Sequence, residues 1–452
     1  MKKVFSVLTV AVLAVSTVFA GFSGSASIGV GANFDNGNFG FLDQANGVNV
    51  DIELSTLDGE AAGEGDVYAT IKGSMTAWLL REKAGNESVD HKSDYGYVPA
   101  LNAEISEATV GGKNWSVSIL GLPNAPDYAM SAIDSKRFDN EDDWGRPLSG
   151  KYALPYTFHA PYAKTNGVTV NVFDYKVGLG LLGDYSKDNT KVNFSAFVET
   201  PEYDFNGFTA QVGATYAYNQ FNTLEDGVPT IQDPTKFKET NAMGISAKLG
   251  YANEDLKLSA SAATDVGVDF TAEKDNVAAD VAANFTYDFV SVDAYYATNA
   301  SVWNLGNDPV ENLLSAQVAL DFNSFNVPVA LTFAAKDLVN VQDLSAKVDV
   351  TAIEGLKLTA KGGYAIETKK WNTGVEAEYE NDMLKAKAGL GVASVAEKDA
   401  AVILNASASV ESSAIIDGAK LKLAWSDAND LLDKDAEKSN YGKIIASCEI
   451  KF

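Results

Sequence analysis

Carboxylates are the most abundant reactive groups in this chain. It has 61 Asp and Glu against 35 Lys and Arg, only two histidines and one cysteine, and a formal net charge of −26. The densest acidic stretch is DNEDDWGRP, 139–147. Asp139, Glu141 and Asp143 alternate as calcium ligands would, but Gly145 comes one residue too late for the sharp turn such a loop needs. The same residues permit a second arrangement. Arg137 and Arg146 can oppose Asp139, Glu141, Asp142 and Asp143 across a water-filled passage, where the local field filters ions. A solvated acidic loop is the third reading.

Other constellations carry less chemistry. GLGLLG at 178–183 fits the dinucleotide string, but a turn and another strand-like stretch follow, where the pyrophosphate needs a helix N-terminus. Glycines in a strand allow close approach or bending instead. His91 and His159 are the only histidines, so a multi-histidine metal site is impossible, and neither has a partner for a nucleophilic triad. Cys448 falls on an apolar stripe and reads as a small hydrophobe; no disulfide can form within the chain. No acid–base pair stands out among so many carboxylates. The chain reads as no enzyme and binds no cofactor. An acidic chain this poor in Lys and Arg does not suit nucleic acid.

The most regular charged stretch is VEAEYENDMLKAKAG, 375–389. With a turn over 380–383, Glu378 faces Lys385 and Glu376 faces Lys387 across a hairpin. Opposite charges directly across a sheet stabilise it. These four residues read as the salt-laced wall of a water-filled lumen.

Alternation is the element that positions such groups. Val48, Val50, Ile52 and Leu54 share one face; Asn49, Asp51 and Glu53 share the other. The same stripe recurs along the chain, at 208–218, 243–251, 277–287, 314–322, 356–364, 384–392 and 402–410 among others. Side chains of a strand alternate between faces, so each stretch predicts a strand with one apolar and one polar side. Short links such as Asn206-Gly207, Glu354-Gly355 and Asn381-Asp382 predict hairpins. The exception is 122–166, which holds five of the eleven prolines and two of the three arginines. A loop of that length is often functional.

The first twenty residues are not part of the fold. Lys2 and Lys3, an apolar run and Val18-Phe19-Ala20 predict a secretory signal peptide. The remaining chain, 21–452, must hide one apolar face along a very long sheet. Tandem sandwiches, a surface-layer protein and a solenoid are alternatives. Stripes of about nine to eleven residues match a tilted membrane-spanning strand, and aromatics gather at stripe ends, as in the interface girdles of membrane barrels. The expected fold is therefore all-β: a single large antiparallel transmembrane β-barrel with short turns and a few long loops. It would have about 18–24 strands, enough to leave a channel where about eight would not.

The end of the chain carries a resemblance. In KIIASCEIKF, Ile444, Ala446, Cys448, Ile450 and Phe452 form a period-two stripe ending on an aromatic. This resembles the assembly signal of bacterial outer-membrane barrels. The acidic meander and the bias to Lys over Arg loosely resemble spirochaete-type major outer-membrane porins. The resemblance implies a location in the bacterial outer membrane after export, and folding by the barrel assembly machinery within outer-membrane lipid. It also implies passive diffusion of small hydrophilic solutes and a homo-oligomer such as a trimer. The acidic balance adds a preference for cations. A surface adhesin or structural sheath protein acting through its loops is the alternative function.

Overall fold

A computed structural model of the chain describes residues 22–35, 37–41, 46–55, 67–82, 97–119, 126, 128–129, 132–133, 166–182, 193–222, 224–225, 228–229, 238–270, 277–298, 312–339, 342–397, 400–416, 418–428, 431 and 441–452. The signal-peptide expectation lies outside them. Two compact units are distinguished, residues 1–113, 349–361 and 371–452 forming the first and 114–348 and 362–370 the second.

The chain opens with β1 (Phe22–Asn33), β2 (Phe39–Phe41), β3 (Gly47–Ser55), β4 (Tyr68–Glu82) and β5 (Tyr97–Gly112), all in the first unit. The second unit holds β6 (Trp115–Ile119), β7 (Asn166–Val172), β8 (Tyr175–Leu182), β9 (Asn193–Glu199), β10 (Tyr203–Phe205) and β11 (Phe208–Asn222). It continues through the two-residue strands β12 (Leu224–Glu225) and β13 (Val228–Pro229) to β14 (Lys238–Asn253), β15 (Leu258–Asp269), β16 (Val277–Tyr287), β17 (Val290–Ala297), β18 (Leu313–Asp321) and β19 (Val329–Asp337). Next come β20 (Asp343–Ile353) and β21 (Leu356–Ala365), followed by β22 (Lys370–Glu380), β23 (Lys385–Val395), β24 (Ile403–Ile416), β25 (Ala419–Ala428) and β26 (Lys443–Lys451). Twenty-two of these strands have five residues or more, inside the expected range. The pairings are antiparallel, and β26 pairs with β1 over nine residues, from Ser25–Lys451 to Asn33–Lys443. The fold class is the expected one, an antiparallel β-barrel.

Register converts the sequence stripes into two continuous surfaces. In the second unit Val117, Val170, Val177, Val198, Ala214, Ile245 and Val266 stand side by side on seven strands. Val170, Val177, Val198, Ile245 and Val266 are exposed. Water would penalise such a sheet by about 25 cal/mol for each Å² of apolar surface left open; hydrocarbon does not. At the same height, the opposite face carries Asn171, Lys176, Glu199, Gly213, Ser246, Asp265 and Asp280. In the first unit Ile28, Val30, Val410, Leu423 and Ile444 are exposed on the apolar side.

Aromatics cluster where the short turns lie. Phe208 and Tyr251 face each other with ring centroids 4.5 Å apart, and Phe289 packs edge-on against Phe325 at 5.1 Å. The turns use left-handed backbone at Asn206 (φ 61°) and Gly207 (φ 93°), as their residue types predict. Phe173 (φ 50°) and Asp174 (φ 66°) form an equally tight turn that no Gly or Asn announces.

Residues 178–182 of GLGLLG lie in β8, a strand. Gly178 is bare because the Phe197 ring occupies the place where its Cβ would stand. Cys448 stands opposite Ile28 on the apolar side of the closing pair, beside β25 residue Leu421. Phe452 completes that pair. Its N–H donates to the Gly24 carbonyl at 3.0 Å, its carbonyl accepts from the Gly24 N–H at 2.8 Å, and its ring lies over the bare Gly24 Cα.

Candidate functional site

The polar face of the second unit is not open. Part of the 122–166 loop lies on it, and the described contacts concentrate on the one transverse row ending at Asp280. Pro126 rests on Gly213, where a Cβ would overlap its ring. The Pro126 carbonyl accepts a hydrogen bond from Ser246 Oγ at 2.9 Å. Asp265 accepts two successive main-chain N–H groups, from Tyr128 at 3.3 Å and Ala129 at 2.7 Å. The Tyr128 hydroxyl donates to Glu199 Oε1 at 3.0 Å. Burial and that hydrogen bond push the Tyr128 phenol above its ordinary range. The loop backbone thus obtains acceptors and donors that water would otherwise supply.

Around this contact the face is charge-paired. Lys176 Nζ lies 3.1 Å from Glu199 Oε2, and Gln211 Nε2 donates to Glu199 Oε1 at 2.9 Å. Lys248 pairs with Glu202 at 2.5 Å and stands 5.4 Å from the centre of the Tyr128 ring. Asp265 and Asp280 are direct cross-strand neighbours and both are buried, an unfavourable juxtaposition by itself. The two loop amides compensate Asp265, and the Tyr295 hydroxyl, 3.0 Å away, compensates Asp280. Apolar side chains on this face are buried too: Phe197, Ala217, Ala242, Tyr295 and Ala297, together with loop residues Ala129 and Ile133. The polar side of β9 to β17 is therefore covered around this row, while the apolar side is bare.

Among the described residues on the polar face of the first unit, β22 and β23 carry charged side chains, and their lysines are exposed. Lys385 bridges Glu378 and Glu380, at 2.7 Å each, and Lys387 reaches Glu378 at 2.5 Å. The turn begins at Asn381, whose side chain accepts the N–H groups of Met383 and Leu384, each at 2.9 Å. Glu378 thereby takes both lysines, and Glu376 has no ion pair among the described residues. Further pairs join Lys357 to Asp349 at 3.6 Å and Lys420 to Glu411 at 2.7 Å. Glu376, Glu378, Lys385 and Lys387 share this wall.

Arg137, Asp139, Glu141, Asp142, Asp143 and Arg146 lie outside the described residues. The part of the same loop that is described meets the wall through Pro126, Tyr128 and Ala129. The expectation for the loop rested on its charges and did not include these three. Only the run of prolines pointed to this end of it. The use of main-chain amides left no trace in residue type.

No protein-family profile matches the chain, and no curated protein does. Solved structures do, across nearly its whole length. A mutant ferric enterobactin receptor (PfeA) from Pseudomonas aeruginosa is 10% identical, with 96% of this chain and 80% of that one covered and a TM-score of 0.47. The P pilus usher (PapC) translocation pore is 10% identical over 95% and 99% of the two chains, at a TM-score of 0.39. A mutant porin from Rh. blastica is 13% identical over 96% and 99%, at 0.29. At such identities and scores these are similarities of fold alone, and no function or residue role transfers from them.

Proposed function

We infer that this chain is an outer-membrane porin: a water-filled channel through which small hydrophilic solutes and ions diffuse passively. The observation that carries this reading is the pair of opposed surfaces. An exposed apolar row on seven adjacent strands suits lipid, and an ion-paired polar face lies behind it. In lipid every backbone group must be paired, which a closed barrel achieves. Pro126, Tyr128 and Ala129 on the polar face narrow the passage beside the second unit. An excess of carboxylates, 61 against 35 basic groups, biases the channel toward cations. Export by the N-terminal signal, folding by the barrel assembly machinery and residence in the bacterial outer membrane belong to the same reading. The kinship with spirochaete-type porins rests on acidity and the Lys-over-Arg bias alone.

Single-channel recording in a planar lipid bilayer tests this. Detergent-purified protein should insert in ohmic steps, and a salt gradient should give a reversal potential of cation-selective sign. Absence of conductance from protein that still shifts its gel mobility on heating would sink the porin reading. A surface adhesin or sheath protein acting through loops would then lead.

A further inference from the structure

Across β21 to β24 of the first unit, the ion pairing of the described wall residues stops at one place. Lys357, Lys385, Lys387 and Lys420 are all engaged by carboxylates. Between them, Lys361 and Glu376 have no ion-pair partner among the described residues. Nearby, the Asn405 side-chain oxygen is buried with no hydrogen-bond donor. Asn372 and Ser407 complete the rim of a hollow of about 370 Å³.

Its floor is backbone. Gly374, Gly389 and Gly391 lie beneath it, and Gly391 pairs with Asn405 and Gly389 with Ser407. A side chain at Gly391 would meet nothing nearer than 3.8 Å, so packing does not demand a glycine there. What the glycine preserves is the empty space. The Lys361 chain leans over the floor, its Cε 3.7 Å from where a Gly374 Cβ would be. Glu376 follows two residues on along the same face, about 7 Å further.

We propose that this hollow is a solute-binding subsite of the channel, and that it takes a small zwitterion of the amino-acid class. The subsite rests on the porin reading above. The solute carboxylate meets the Lys361 ammonium; its ammonium group meets the Glu376 carboxylate and donates to the buried Asn405 oxygen. Opposite charges held a short distance apart on a bare floor select a ligand with both charges. The floor offers backbone and no aromatic ring, which disfavours a sugar.

The test is titration of the open channel with L-alanine, reading single-channel current. Current through the wild-type channel should fall saturably. Lys361→Gln and Glu376→Gln should each weaken that effect by about tenfold or more, the loss expected for a hydrogen bond to a charged group. Gly391→Val should abolish it by filling the hollow, and Lys420→Gln, outside the hollow, should leave it intact. A conducting wild type with no saturable response, or one that responds to glucose and not to alanine, overturns the proposal. So does an undiminished response in Lys361→Gln. If the protein conducts nothing, the porin reading fails first. Calorimetric titration of alanine into the detergent-solubilised protein then decides the hollow by itself, with binding lost in the same variants if the proposal holds.

Discussion

Gly213 has no side chain because Pro126 occupies the space where one would stand. Any larger residue must push the loop off the wall or distort β11. Asp265 holds Tyr128 and Ala129 of the loop by their N–H groups. Losing a charged acceptor for such a bond costs about 1.5–3 kcal/mol. Gly213→Leu and Asp265→Ala should therefore free the 126–133 segment while the strands stay paired. The expected outcome is a larger single-channel conductance and faster chymotrypsin cleavage after Tyr128, with heat-dependent gel mobility unchanged. Equal cleavage rates in variant and wild type would show that these contacts do not hold the loop. The sequence carried little warning of this contact. Asp265 is one of 61 acids, and its role depends on which loop atoms arrive opposite it, a long-range matter that no local pattern encodes.

Elements were far more legible. The alternation at 277–287 corresponds to β16 at both ends, and the stripe at 356–364 stops one residue short of β21. Period two survives in sequence because one face must be apolar along the full strand, and a single slip would reverse every side chain. Turns were legible where positive φ requires Asn or Gly, and hidden at Phe173-Asp174, where the flanking pairs Val172–Tyr175 and Asn171–Lys176 impose the turn. The β22–β23 hairpin shows the limit of such reading. Its charges were recognised as a wall, but the share taken by Glu378 depends on where the turn begins. Glu378→Gln should remove that carboxylate's charge from both lysines, leaving Lys387 without a counter-charge while Lys385 keeps Glu380. The reversal potential in a salt gradient should move toward anions, and the gel shift on heating should stay the same. Retained cation preference of wild-type size would place the selective step elsewhere in the channel.

At the scale of the molecule, closure depends on the pairing of the last strand with the first. Phe452 and Gly24 exchange two backbone hydrogen bonds, and the ring covers the glycine. Gly24→Val would place its Cβ 2.5 Å from the Asn49 carbonyl oxygen and 2.8 Å from that ring. The fraction of protein reaching the heat-modifiable folded form should drop, and Phe452→Ala combined with it should restore only part of that fraction, since the Asn49 carbonyl remains. No rescue at all in the double variant would mean that the Asn49 carbonyl, and not the ring, requires the glycine. Both surfaces of the sheet depend on the same arithmetic. An isoleucine of β14 lies on the exposed apolar face and the serine beside it holds the loop, since Ile245 and Ser246 are consecutive. A single-codon insertion or deletion inside that strand would send Ser246 and Lys248 to the apolar side and turn Ile245 and Leu249 onto the loop. Two codons would preserve the facing and shift only the height. Length changes tolerated within the strands of this lineage should therefore come in pairs, while the connections between strands accept any number.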